Sequence, residues 1–287
     1  MSHNIELSDD NLQAMEELMK TIRIPPRPSL LQDLQDELSR SEPDLKSIAE
    51  IASRDAAITA GVLRTVNSAL YGLPRQVETV ESAVSYMGVG PVASLITWLV
   101  AQRVLSKDRP VEPRFWDMSA KRSVALTALA RRFGSVDRST AQLFGLFCDI
   151  GEPLMFQRFE NYGETLALAS EAEDEAFTSV ERARHLTDHA TVGAMMTRSW
   201  GLSQVVSGAI RYHHDYSILS DVGIDTSSRE LVAMGLIAGL AIARFDGKGT
   251  CVEWEKGKEG ALALLELSDD AVLDLCDDLH DLLMNER

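Results

Sequence analysis

The chain has 287 residues, 45% of them apolar, which is enough for one large domain or two lobes around a substantial core and excludes intrinsic disorder. Acidic residues outnumber basic ones 44 to 28, for a formal net charge of -16 and a pI near 4.8. Such a field repels phosphate backbones and anionic lipid, so neither nucleic acid nor a membrane surface is an expected partner.

In chain order, the opening MSHNIELSDD has neither the basic start nor the apolar stretch of a signal peptide, and Cys148, Cys251 and Cys276 show neither ligand nor disulfide spacing. A reduced cytoplasm is the expected compartment. Leu12, Met15, Leu18, Met19 and Ile22 repeat at helical spacing, and residues 1–20 are expected to form an N-terminal helix or tail. The same three-and-four periodicity continues almost throughout, with no sustained alternation of the strand type, so the fold class is all-α, about a dozen short helices.

Pro43, Pro91 and Pro113 each stand near the start of a helical pattern, where a missing N–H costs nothing. Gly134 and Gly201 follow helices at positions that want a left-handed cap. Thr178 with Glu181 fits a capping box, Thr187 is placed to cap the helix carrying His189, and Ser268 to cap a last helix. SKDRPVEP, Ser106 to Pro113, interrupts apolar helices on both sides and divides the chain into lobes of residues 21–108 and 109–287. The longest apolar run, Leu231 to Ala243, falls short of the roughly 20 residues of a membrane span and is expected as a buried core helix.

The chemical signal is the clustering of His185, His189, His213 and His214. Thr187 and Asp188 look like a helix start, so His185 and His189 are expected to straddle a turn rather than form a two-histidine zinc helix. His213 and His214 are consecutive, about 100° apart on a helix, so only one of them is expected to face a site shared with His189. Upstream, Leu143, Leu146, Phe147 and Ile150 mark a core helix that ends in Asp149 and Gly151; an inward carboxylate there needs a cation, a donor or a backbone cap.

Cys148-Asp149-Ile150-Gly151, Asp188-His189-Ala190-Thr191-Val192-Gly193, Trp200-Gly201-Leu202 and Ile210-Arg211-Tyr212-His213-His214-Asp215 resemble the successive motifs of the HDOD family, relatives of the HD phosphohydrolases. Ile24-Pro25-Pro26-Arg27-Pro28, Arg54-Asp55-Ala56-Ala57-Ile58-Thr59, Asn67-Ser68-Ala69-Leu70-Tyr71-Gly72 and Ala83-Val84-Ser85-Tyr86-Met87-Gly88 resemble the family's N-terminal signature. The likeness covers about residues 20–280 as one HDOD unit. It implies an N-terminal helical lobe packed on a degenerate HD-type lobe.

An active HD enzyme resembling this chain has a histidine where Cys148 stands, a further ligand in the helix near Trp116 to Arg122, and commonly a lysine where Glu152 stands. The helix here is FWDMSAKRS, without histidine. What the resemblance leaves as vestigial metal ligands is Asp149, His189 and His213 or His214, enough for one Mn, Fe or Zn at most, and no cofactor or catalytic residue is expected. The preferred reading of the same residues is a buried polar network that persists without metal.

Cys148, Glu152 and Asn67 are candidates for lining a ligand pocket, although Asn67 at a helix end is also explained by bonds to backbone. Glu152 in place of a cation disfavours a bare phosphate ester. Trp254, in the polar stretch CVEWEKGKEG, is expected to be partly exposed and is the candidate contact residue. A thiol nucleophile at Cys148 is disfavoured by its place in a core helix.

The resemblance implies a non-catalytic regulatory module of bacterial signalling, working through protein contacts with receiver, diguanylate cyclase or phosphodiesterase partners. The length leaves no room for such a companion, so the signal is expected from a separate partner or a ligand. A divalent-metal phosphohydrolase or cyclic nucleotide phosphodiesterase is one alternative. A sensor of a nucleotide-like ligand without turnover is the other.

Overall fold

The computed structural model describes residues 20–68 and 75–284. The periodicity at Leu12 to Met19 and the Ala69 to Gly72 part of the N-terminal signature lie outside the described residues. Among those described the chain is helical without a strand.

Five helices form the N-terminal part: α1 (Ser29–Leu38), α2 (Leu45–Ser53), α3 (Ala56–Val66), α4 (Val80–Met87) and α5 (Val89–Leu105). Asp44, Asp55 and Thr79 cap α2, α3 and α4 by accepting backbone N–H groups of the first turn. Ile48, Val62, Val66, Val84 and Ile96 are fully or almost fully buried between them.

The remainder is α6 (Pro113–Phe133), α7 (Arg138–Phe147), α8 (Gly151–Arg158), α9 (Tyr162–Glu171), α10 (Phe177–His185), α11 (His189–Ser199), α12 (Gln204–Tyr212), a 3-10 turn (Tyr216–Ser220), α13 (Thr226–Phe245), α14 (Val252–Leu265) and α15 (Asp269–Met284). Helix α13 is the central post, packed by α6, α12, α14 and α15. It is long and apolar enough to cross a membrane, but 67% of its apolar window is buried inside the fold, so it serves as the core helix its sequence predicts.

Pro113 opens α6, and Gly134 and Gly201 take left-handed φ of 72° and 79° after α6 and α11, as their sequence positions require. Ser268 accepts from the Ala271 N–H at the start of α15. Two local expectations are corrected. Asp188, not Thr187, caps α11 by accepting from Thr191 N at 2.7 Å. Thr178 and Glu181 make no capping box, because α10 begins at Phe177 without a side-chain cap and Glu181 turns inward.

The segment 106–112 joins α5 to α6 and is braced against α8, with Arg109 Nη1 donating to the Phe156 carbonyl at 2.7 Å and Gln157 Nε2 to that of Leu105 at 3.1 Å. The main hydrophobic cluster continues from Ile22 to Leu279 across that segment. Trp200 Nε1 donates to Pro25 O at 2.9 Å and Gln35 Nε2 donates to Gly201 O, tying the IPPRP stretch to the end of α11.

Candidate metal centre and adjoining cavity

The centre is built on a close crossing of α8 and α11. A Cβ on Gly151 would lie 2.0 Å from the His189 carbonyl oxygen and 2.8 Å from Gly193 N, so only glycine lets the two backbones meet. This approach sets Asp149, in the turn between α7 and α8, beside His189 at the first turn of α11. Helix α6 crosses α7 as closely, since a Cβ on Gly145 would lie 2.5 Å from Ser123 Cα, and Arg122 is thereby placed at the same point.

His189 and His213 face one another through their Nε2 atoms at 3.1 Å, and Asp149 Oδ1 lies 3.2 Å from His213 Nε2 and 3.8 Å from His189 Nε2. One ligand atom from each of Asp149, His189, His213 and His214 falls within 4.8 Å of the others. Both histidines of the consecutive pair therefore reach the cluster, a correction to the expectation of one: they stand at the end of α12, past its last helical residue Tyr212, with ring centroids 4.1 Å apart.

Each imidazole is oriented through its Nδ1. His189 Nδ1 donates to Glu181 Oε2 at 2.7 Å, His213 Nδ1 to the Ile210 carbonyl at 2.7 Å, and His214 Nδ1 to Glu253. Glu181 also accepts from the Tyr162 hydroxyl, and Glu253 from the Tyr216 hydroxyl and, at 2.7 Å, from Lys256 Nζ. The His214 ring stacks on Phe177, with centroids 4.5 Å apart. Nδ1 fixed on an oxygen acceptor leaves Nε2 as a lone-pair donor, the arrangement found behind metal-bound histidines.

Two Nε2 lone pairs 3.1 Å apart need a proton or a cation between them. Without an ion, burial works against charging His213, but Cys148 and Asp149 raise its pKa well above the ordinary value, which supplies that proton. With an ion, three imidazoles and one carboxylate are a suitable donor set for a single divalent metal of the zinc type. Among the described residues no second donor cluster is present, so the set suits one ion and not a pair.

The charge on Asp149 is met from another side as well. Arg122 Nη1 lies 2.7 Å from Asp149 Oδ2, with both side chains only 18% exposed. Burial opposes ionisation, yet this guanidinium and then His213 hold the Asp149 carboxyl well below the usual carboxylate range. Glu152, three residues on, makes no side-chain hydrogen bond among the described residues, and burial followed by the Asp149 charge pushes it up to about 8. His214 goes the other way, to about 4, through burial and the positive field of His213.

In front of Arg122, Asp149 and Glu152 opens a cavity of about 600 Å³ between α6, α8 and the 106–112 segment, walled by Phe115, Met118 and Phe156. Of the residues expected at a pocket, Glu152 lines it. Cys148 does not; it is buried against His213. Asn67 is not among the residues lining the cavity, and both ends of its amide pair with the Val77 backbone at 2.8 Å, which ties the end of α3 to Val77. Trp254 is 6% exposed, packed in the core and not on a contact surface. His185 does straddle the turn from His189, but it bonds Thr165 at 2.8 Å outside the cluster.

A family model for the HDOD domain matches residues 24–216. The chain belongs to the HDOD family. A protein of Treponema pallidum without assigned function is 25% identical over 221 residues, which cover 74% of this chain and 42% of that protein, so the chain spans less than half the length of this relative. An HDOD domain protein of unknown function from Geobacter sulfurreducens shares the fold with a TM-score of 0.74 at 21% identity, over 96% of this chain and 95% of the other. A putative signal transduction protein from Marinobacter aquaeolei VT8 gives 0.73 at 18% identity, over 98% and 66%. A putative phosphohydrolase from Shewanella amazonensis SB2B gives 0.70 at 21%, over 97% and 96%.

Within this HDOD chain, sequence reasoning missed Arg122, Glu181 and Glu253. Arg122 follows Phe115 and Met118 at seven and four residues, one inward stripe of α6. Glu181 shares the buried face of α10 with Thr178 and His185, which is the signal that identifies it.

Proposed function

We propose that this HDOD protein is a non-catalytic regulatory module whose HD-type centre is a self-neutralised polar knot, and that it acts through contacts with other signalling proteins. The observation that carries this reading is the Arg122–Asp149 ion pair at 2.7 Å. A fixed guanidinium supplies at Asp149 the positive charge that an HD enzyme takes from metal. The remaining donors are engaged with one another or with Glu181, Ile210 O and Glu253. Glu152 places a carboxyl where a phosphate ester would need a cation.

The three Nδ1-anchored imidazoles favour a second reading, in which Asp149, His189, His213 and His214 hold one divalent ion. When bound, such an ion supplies Lewis acidity and lowers the pKa of coordinated water. Four protein donors fill the tetrahedral preference of zinc, as in structural sites, whereas catalytic zinc keeps an open position. This reading therefore also leans away from turnover.

The test is metal analysis of untagged protein, together with hydrolysis of bis(p-nitrophenyl) phosphate in added Mn²⁺ or Zn²⁺. The regulatory reading expects no turnover above buffer. Metal-dependent turnover abolished in both Asp149→Ala and His189→Ala proteins would overturn it in favour of a phosphohydrolase.

A further inference from the structure

A groove of about 590 Å³ lies between the IPPRP stretch and α11, the helix that His189 opens. Ile24, Pro25, Pro26 and Arg27 line it from the stretch, and Met195 and Arg198 from α11. The bond from Trp200 Nε1 to Pro25 O at 2.9 Å and that from Gln35 Nε2 to Gly201 O hold the two sides together, so the groove exists before anything enters it. Met195 is 39% exposed, a large apolar side chain facing water, and its unbranched shape adapts to what packs on it.

The charge of this groove is opposite to that of the chain. Arg27 and Arg198 line it and no carboxylate does, whereas the cavity beside the centre has Glu112, Asp149 and Glu152 among its lining residues. Neither guanidinium, nor that of Arg23 next to Ile24, has an ion pair among the described residues. On a protein with a formal net charge of -16, unpaired cations around an apolar groove select an acidic segment with apolar anchors.

The chain itself carries such a segment. Residues 1–19, outside the described residues, contain Glu6, Asp9, Asp10, Glu16 and Glu17 and neither lysine nor arginine. At about 100° per residue, Leu12, Met15, Leu18 and Met19 form one apolar stripe, which Asp9 and Glu16 border on one side. The segment joins the fold next to the groove. Ile22 is buried, Thr21 Oγ1 accepts from Arg158 Nε at 2.8 Å, and Ile24 follows a tight turn in which its N–H donates to Ile22 O at 3.0 Å. So short a tether holds the segment at about millimolar effective concentration, which populates a contact too weak to form between separate molecules.

We infer that residues 1–19 dock in the groove of their own chain, with the stripe from Leu12 to Met19 against Met195 and the two prolines and its acidic border facing Arg27 and Arg198. Docked there, the segment covers a surface that otherwise attracts acidic segments of other proteins. The contact uses no residue of the metal centre, so it is independent of whether the protein turns over a substrate.

Hydrogen exchange of the full chain, read by mass spectrometry, tests the contact. Amides within residues 9–19 should exchange about tenfold or more slowly than those of a synthetic peptide of residues 1–19. Met195→Glu/Arg198→Glu, which alters two exposed side chains that make no hydrogen bond among the described residues, should keep its cooperative unfolding and lose that protection. Asp9→Lys/Glu16→Lys, changed in the segment alone, should lose it as well. Exchange as fast as in the peptide overturns the inference, as does protection that survives in either variant. Protection that grows as protein concentration rises from about 1 to about 100 µM puts the segment on a second copy and overturns the intrachain contact. Protection independent of concentration and lost in both variants supports it.

Discussion

Arg122→Met is the substitution that tests the centre most directly. It removes the guanidinium that lies 2.7 Å from Asp149 Oδ2 and keeps most of the side-chain volume. Breaking a buried ion pair from one side costs about 3–5 kcal/mol, since the remaining charge is left without its partner. Both groups are 18% open to the cavity, so we take the lower end, about 3 kcal/mol. With 287 residues and about 2.1 cal/mol/K of unfolding entropy per residue, this corresponds to a loss of about 5 °C in Tm at pH 7. The pH dependence has a definite sign. Because the folded-state pKa of Asp149 is depressed, its contribution is present above the unfolded value near 4 and is lost as pH falls through the folded one. The difference between wild type and variant should therefore shrink at acid pH. Thermal unfolding followed by circular dichroism at several pH values measures it. In Arg122→Met/Asp149→Asn, where neither charge remains, part of the loss should be recovered. A drop below about 1 °C at pH 7, or losses that simply add in the double variant, would refute the assignment of Arg122 as the counter-charge of Asp149.

The same Arg122→Met protein should bind Zn²⁺ more tightly than wild type in a competition titration, because Asp149 is no longer held by a fixed cation; unchanged affinity would speak against that competition. Glu152→Gln should stabilise the protein as pH rises from about 4.5 to about 8, the window in which the unfolded state has lost the Glu152 proton while the folded state keeps it. The gain reaches a few kcal/mol at about 1.4 kcal/mol per unit and is absent below pH 4, as a Tm-against-pH series will show. Gly151→Ala forces a methyl group against the His189 carbonyl and should cost about 3 kcal/mol or more, with loss of cooperative unfolding at the upper end. Trp254→Ala should cost about 3–5 kcal/mol as a core truncation; a near-neutral effect on Tm would return Trp254 to the surface.

Much of the fold was legible because its determinants are local. The apolar run Leu231 to Ala243 identifies α13, and proline, glycine and capping residues set most helix ends within the chain's own few neighbours. Trp254 was misread for the converse reason: its neighbours are charged, and its burial depends on Gly257 and Ala261, small residues on the same face of α14 that let it pack inward. A Cβ on Gly257 would lie 2.4 Å from a Leu236 methyl, a contact no local pattern reveals. The grouping of Asp149 with His189, His213 and His214 followed from the order of family motifs, and spacing alone would not have produced it. Glu181 escaped because Thr178-x-x-Glu181 has a local explanation as a capping box, and only the tertiary partner His189 decides against it. Arg122 escaped because a basic residue in a half-polar helix is ordinarily solvated, and its burial is a property of how closely α6 crosses α7 at Gly145.

The departures at Arg122 and Glu152 belong together. In a metal enzyme of this outline the Asp149 carboxylate faces a doubly charged ion, and a substrate phosphate faces a cation at the position of Glu152. In this chain Asp149 faces the Arg122 guanidinium and the His213 ring, and Glu152 is pushed up to about 8. A net charge near zero is therefore reached in the buried pair and its neighbour without an ion, and an added ion must compete with a partner that needs no deprotonation or recruitment. Glu152 as a lysine would lie beside Arg122 and oppose it, whereas a neutral carboxyl does not. A carboxyl at that place also leaves the cavity without a cation for a phosphate to face at Glu152. The ion pair at Asp149 and the raised carboxyl at Glu152 are thus two parts of one arrangement of charge.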